Sequence, residues 1–256
     1  MKLHYRQYST EGHPVVILHG VYGNQANWMS HAKQLAERFA VYGFDARNHG
    51  QSPWADSLRL QDMAADVAET MESMGIGQAY VIGHSMGGKT AMWLAQQRPE
   101  LVGKLVGVDI APVDYHKRED GIVRHLMAMP LAELDNRVQA DAWLAPHVPE
   151  KGVRDFLLTN LVRDEAGKLS WRINLPVIYR DFSEVTGWPD DSGRYEGPTL
   201  FIRGGRSDYL LPQHEATTLA QFPHARIATV ADAGHWVHSE QPVEVQRLIR
   251  EFLEEA

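Results

Sequence analysis

Apolar residues along this chain gather into six short runs separated by polar, helix-compatible stretches. The runs are "PVVILHG" (14–20), "FAVYGFD" (39–45), "AYVIGHS" (79–85), "KLVGVDIAP" (104–112), "PTLFIRGG" (198–205) and "ARIATVADAGH" (225–235). They are rich in Val and Ile and mostly end in Gly or Asp, the pattern of strands buried on both faces. Between them Leu60, Met63, Val67, Met71 and Met74 fall on one helical stripe. Val245, Leu248, Ile249 and Phe252 repeat the spacing behind Pro242, a residue suited to a first helical turn. Strands alternating with helices predict an α/β chain, a mostly parallel central sheet flanked by helices.

One connection breaks the rhythm. About 90 residues separate Asp109 from Pro198, where a crossover helix and its loops need roughly 30. A structureless loop of that length is improbable. The stretch carries helix-compatible segments and the aromatics Tyr115, Trp143, Phe156, Trp171, Tyr179, Phe182 and Trp188. The expectation is an inserted helical cap, 113–195, over the carboxyl ends of the strands, where open α/β sheets place their sites. The core is then 1–112 with 196–256, and the aromatic content suggests a small apolar pocket beneath the cap.

The length of 256 residues accommodates one such domain with its insertion. Twenty-five Lys and Arg against 33 Asp and Glu give a net charge of −8, which disfavours nucleic acid and anionic membranes as partners. The absence of cysteine removes disulfides, thiolate zinc sites and a cysteine nucleophile. No apolar run approaches the ~18 residues that span a bilayer, and "MKLHYRQYSTEGHP" lacks the apolar core of a signal peptide. A cytoplasmic protein is expected; oligomeric state does not follow.

Candidate chemistry begins at Gly83-His84-Ser85-Met86-Gly87. A strand leads in and a helix follows, so Ser85 sits on a strand-to-helix elbow with helix N–H groups and a positive dipole end beside it. A serine hydroxyl needs a base. Of 13 histidines, His235 in "DAGHW" follows the last predicted strand, as the chain order Ser, acid, His requires. His84 reads as structural or pocket-lining. His238 completes an H-x-x-H with His235, too few ligands for a metal site. "LHGVYGN" (18–24) follows an early strand, and its Val21 N–H together with the Met86 N–H forms a candidate oxyanion hole.

These segments together resemble the α/β-hydrolase superfamily, most nearly the YbfF-type bacterial esterases and their mitochondrial relatives. "RNHGQSP", "GHSMGGK" and "DIAPVDY" carry the branch resemblance, while "HG" and "AGHW" are generic. The resemblance implies an α/β-hydrolase fold with a helical cap. It also implies serine-dependent hydrolysis of a small acyl ester or thioester, with no metal and no cofactor. Two carboxylates compete as the acid. Asp208 follows the penultimate strand, the usual superfamily arrangement; Asp109, in "GVDIAP", is the position the YbfF-like branch uses. Asp109 is preferred, assisted by Ser207 through the His–Asp pair. Trp28 and Trp236 are candidate pocket residues.

Asp45, Arg47 and His49 of "FDARNHGQS" read as loop braces, and Lys89, a turn beyond Ser85, carries no assigned chemistry. Two other functions stay open. A carbon–carbon bond hydrolase or lyase would keep the triad and add basic residues for an anionic substrate, with Arg118, Arg124 and Arg154 as candidates. A slow-turnover ligand sensor would keep the fold and bind without rapid chemistry.

Overall fold

The computed structural model describes residues 1–115 and 121–255. Its strands are β1 (Tyr5–Gln7), β2 (Pro14–Leu18), β3 (Ala40–Phe44), β4 (Ala79–His84), β5 (Val102–Val108), β6 (Leu161–Arg163), β7 (Leu169–Trp171), β8 (Thr199–Gly204) and β9 (Ala225–Val230). Among the described residues, seven form one sheet in the order β1-β3-β2-β4-β5-β8-β9, while β6 and β7 pair separately. Only β1 runs antiparallel to its neighbour in the large sheet. The six apolar runs are its six parallel strands. β1 has no apolar signature because all three of its residues are exposed; it pairs with the free edge of β3, Tyr5 opposite Phe44.

Alternation along the strands divides the core in two. Val16 and Leu18 of β2, Val81 of β4 and Leu105 of β5 face α2 (Leu60–Ser73) and α3 (Met86–Gln97). Val15, Ile17, Ile82 and Val106 face the opposite way, onto Ala32 and Leu35 of α1 (Met29–Leu35) and Val245, Ile249 and Phe252 of the helix Pro242–Glu254. A period of two on a sheet covered on both faces makes each strand apolar throughout, which is why the runs show no polar alternation.

The chain reverses its direction of travel across the sheet between β2 and β4, since β3 lies on one side and β5 on the other. Loops leaving the carboxyl ends of β2 and β4 therefore face each other across a crevice, the usual ligand site of an open α/β sheet. Behind β4 the turn into α3 is tight. A Cβ at Gly83 would stand 2.2 Å from the Gly87 carbonyl oxygen, and one at Gly87 would stand 2.5 Å from the Leu18 carbonyl oxygen.

The long connection from β5 to β8 contains α4 (Gly121–Ala128), α5 (Arg137–Leu144), α6 (Lys151–Leu157), the β6–β7 hairpin, α7 (Leu175–Arg180) and α8 (Phe182–Thr186). The hairpin is an addition to the largely helical insertion expected; its turn is closed by Gly167 at φ 78°. Arg118 lies outside the described residues.

Gly83→Ala forces a methyl group against backbone that has no room to yield. It is expected to cost about 3 kcal/mol, the upper end for overpacking. Gly77→Ala, at a site with nothing within 4 Å, stays within roughly 0.5 kcal/mol of wild type. Urea unfolding of both variants checks this; equal midpoints would contradict it.

Candidate active site

Ser85 stands at the junction of β4 and α3 with φ 53° and ψ −118°, a backbone region costing a non-glycine residue of order 1–3 kcal/mol. Neighbours hold it there. Its N–H donates to the Val108 carbonyl at 3.1 Å, and its own carbonyl accepts from Lys89 N–H at 3.0 Å. The strained turn exposes Oγ beyond the sheet while the first N–H groups of α3, Met86 among them, lack intrahelical acceptors. Those groups and the helix dipole favour negative charge beside Ser85.

Asp109 directly follows β5 and also takes a positive φ, 49°. Its carboxylate is fully buried. Oδ1 accepts from Gly204 N–H at 2.8 Å, and Oδ2 accepts from the Ser207 hydroxyl and from His235 Nδ1 at 2.8 Å. With Nδ1 donating, His235 Nε2 presents a lone pair to Ser85 Oγ at 3.1 Å. Ser85, His235, Asp109 and Ser207 thus form one hydrogen-bonded line. Asp208 instead lies in the wall of the adjoining cavity.

His235 is held further through its backbone carbonyl and its ring. Its carbonyl accepts from His84 Nε2–H at 2.8 Å, and the Tyr209 ring stacks on it with centroids 3.8 Å apart. No sequence signal marks Tyr209 beyond its place in "GGRSDY". His84 is buried, and burial first, then His238 and His235, hold its pKa well below the usual value. It is a neutral donor.

The loop after β2 lines the other side. His19 Nδ1–H donates to the Gly20 carbonyl at 2.7 Å, and Nε2 accepts from Ala46 N–H at 3.0 Å, which fixes one tautomer and the loop with it. A Cβ at Gly20 would stand 2.8 Å from His84 Nδ1 and 3.3 Å from Ser85 Cβ; only glycine lets the loop backbone approach the serine so closely at this position. Asp45 ties the same region, accepting from Gln25 and Gln51 N–H at 2.7 and 2.9 Å. Arg47 makes paired contacts to Asp66 at 2.6 and 2.9 Å. His49 Nδ1 bonds the Arg47 carbonyl.

These elements enclose a cavity of about 480 Å³ containing Ser85 and His235. Polar lining comes from His19, Asn27, His84, Asp208 and His238, and apolar lining includes Ile122, Val153, Phe156, Leu157, Phe182 and Trp236. Most of the exposed lining is apolar, with the histidines, Asn27 and Asp208 as its polar part. Of the seven aromatics noted in the long connection, only Phe156 and Phe182 line it. Trp28 is buried at the cavity's base, stacked on His238 with centroids 4.4 Å apart. Among the described residues no Lys or Arg lines the cavity. Arg154 is engaged with Asp141 and the carbonyls of Val148 and Pro149, and Arg124 lies over the Tyr179 ring. No group of three or more His, Asp or Glu among the described residues could hold a metal ion, and no helix among them is long and apolar enough to cross a membrane.

A family profile described as alpha/beta hydrolase fold matches residues 13–242. The chain is 39% identical to the esterase YbfF of Escherichia coli, with 99% of each chain covered. It is 40% identical to the mouse sn-1-specific diacylglycerol lipase ABHD11, over 93% of this chain and 80% of that protein. The solved structure of a marine microorganism esterase superposes with a TM-score of 0.95 at 35% identity, covering 98% of this chain and 99% of the other.

The buried histidines dictate a pH dependence. Burial, with the charge of neighbouring histidines, pushes His49 and His238 down to about 3. Between pH 6.5 and 3 the unfolded chain therefore binds protons that the native state refuses. Stability is full above pH 6.5 and falls as pH drops, by up to roughly 1.4 kcal/mol per pH unit for each such histidine. Urea unfolding at pH 7.5 and 5.0 should show the lower stability at 5.0; equal stabilities would contradict the assignment of neutral histidines.

Proposed function

Because the chain belongs to the alpha/beta hydrolase family, among its YbfF-type esterases, we propose that this carboxylic ester hydrolase works through Ser85, His235 and Asp109 by way of an acyl-enzyme. The reading rests on the hydrogen bonds from Ser85 Oγ through His235 to the buried Asp109. Ser85 Oγ attacks the ester carbonyl carbon as His235 Nε2 takes its proton. Asp109 keeps Nδ1 protonated and stabilises the imidazolium, and Ser207 helps hold the carboxylate. The N–H groups of Val21 and Met86 receive the oxyanion. Collapse expels the alcohol with the proton from His235. Water then repeats the sequence on the acyl-enzyme and regenerates Ser85.

The insertion 113–195 acts in this proposal as a cap that supplies Ile122, Val153, Phe156, Leu157 and Phe182 to the acyl wall. Those side chains favour an apolar acyl group. The lack of Lys or Arg among the described lining residues favours uncharged substrates, and it disfavours the dienol carboxylates of a carbon–carbon hydrolase. A neutral ester also fits the diacylglycerol named for the mouse relative.

Ser85→Ala is expected to lower turnover of p-nitrophenyl esters by about 10³-fold or more and to abolish labelling by a fluorophosphonate, with the fold intact. Labelling of the variant at the wild-type site would refute the nucleophile. Asp109→Asn should cost on the order of 10³–10⁴-fold in kcat, whereas Asp208→Asn stays within about tenfold. The reverse order would make Asp208 the acid.

A further inference from the structure

Lys89 is a fully buried ammonium with no part in the chemistry above. Burying a charge is costly unless strong acceptors surround it. Here the acceptors are carbonyls from both ends of the long connection. Nζ lies 3.0 Å from the Val113 oxygen, 2.6 Å from that of Thr186 and 2.6 Å from that of Gly187. It also sits 4.6 Å from the centre of the Tyr115 ring. Tyr115 N–H donates to the same Thr186 carbonyl at 3.1 Å, so the outgoing and returning segments meet at the ammonium as a neck.

That neck is tied to both partners of the proposed proton transfer. Lys89 lies one helical turn beyond Ser85, its N–H on the Ser85 carbonyl. Tyr115 Oη donates to the Tyr209 carbonyl at 2.5 Å, and the Tyr209 ring stacks on His235. Phe182, in the acyl wall, is one turn before Thr186 on α8.

We propose that Lys89 is a positioning residue: it pins the neck of the insertion to the nucleophile helix and thereby sets the acyl wall over Ser85. The proposal rests on the esterase reading above. A carbonyl oxygen carries no sequence signature, so these contacts survive side-chain variation in the neck. Gln221 holds the same segments from outside, through the Pro112 carbonyl and Trp188 Nε1; loss of the Lys89 charge loosens the neck without detaching it.

The test is Lys89→Met, with Lys89→Gln as a second variant, assayed on p-nitrophenyl acetate and hexanoate alongside fluorophosphonate labelling. The rate of labelling and kcat on acetate should stay within about threefold of wild type, since Ser85 and His235 keep their own supports. KM for hexanoate should rise about tenfold, the worth of one charge-assisted hydrogen bond. Amide exchange at 113–115 and 186–187 should quicken. The absence of native cysteine allows a chemical rescue. Lys89→Cys is alkylated in denaturant with 2-bromoethylamine, which replaces bromide by the thiolate and restores a lysine-like ammonium, and is then refolded beside wild type carried through the same cycle. Aminoethylation should restore KM, while neutral carbamidomethylation should not. Unchanged KM and exchange, equal losses on both esters that follow the folded fraction, or equal rescue by the neutral group would each overturn the proposal. Absence of labelling and turnover in wild type would fail the esterase reading instead, and the exchange at the neck would still report on the pin.

Discussion

A carboxylate without exposure to water must be supplied with donors, and Asp109 draws them from three places in the chain. Gly204 closes β8, Ser207 belongs to the loop after it, and His235 follows β9. Leaving such a charge uncompensated would cost several kcal/mol. The requirement therefore fixes where the last two strands deliver their loops, and with them the imidazole. The remaining geometry follows: a histidine whose Nδ1–H is committed to the carboxylate offers Nε2 outward, at the height where β4 ends.

Strain is concentrated at the same level of the sheet. Ser85 and Asp109 are adjacent-strand termini, and both take left-handed φ values. The Ser85 N–H reaches the last carbonyl of β5, and the Asp109 N–H reaches Ile202 in β8 at 2.7 Å. Each unfavourable backbone conformation is thus locked by a bond to the neighbouring strand, so the packed sheet carries the cost. The glycines around Ser85 are consequences of this compactness, since methyl groups at 83 and 87 would strike carbonyls within 2.5 Å.

The parallel strands and the two main helical stripes were legible because burial on both faces imposes a pattern that composition alone reveals. Ser85 and His235, proposed here as nucleophile and base, stood out in the sequence because each sits in a short motif at a strand end. The preference for Asp109 over Asp208 rests on the resemblance of "GVDIAP" and not on spacing: both follow strands, and nothing in spacing says which way a side chain leaves a loop. β1 escaped notice because its stability comes from backbone pairing with β3. The contacts of Tyr209 and Lys89 escaped because their partners are a ring face and main-chain oxygens, which any sequence supplies; His84, read as structural or pocket-lining, lines the cavity and bonds the His235 carbonyl. The polar part of the cavity lining was equally hidden, since His19 and His238 come to it from opposite ends of the chain.

The central claim is a covalent acyl intermediate on Ser85, and it is tested by trapping that species. Enzyme mixed with excess p-nitrophenyl acetate and quenched in acid within the first turnovers would be measured as intact protein and then as peptides. The account predicts one added acetyl group, located on Ser85 within the "GHSMGGK" segment and lost on incubation in buffer before quenching. Steady hydrolysis with no acetyl adduct at any quench time, or an adduct confined to another residue, would contradict it.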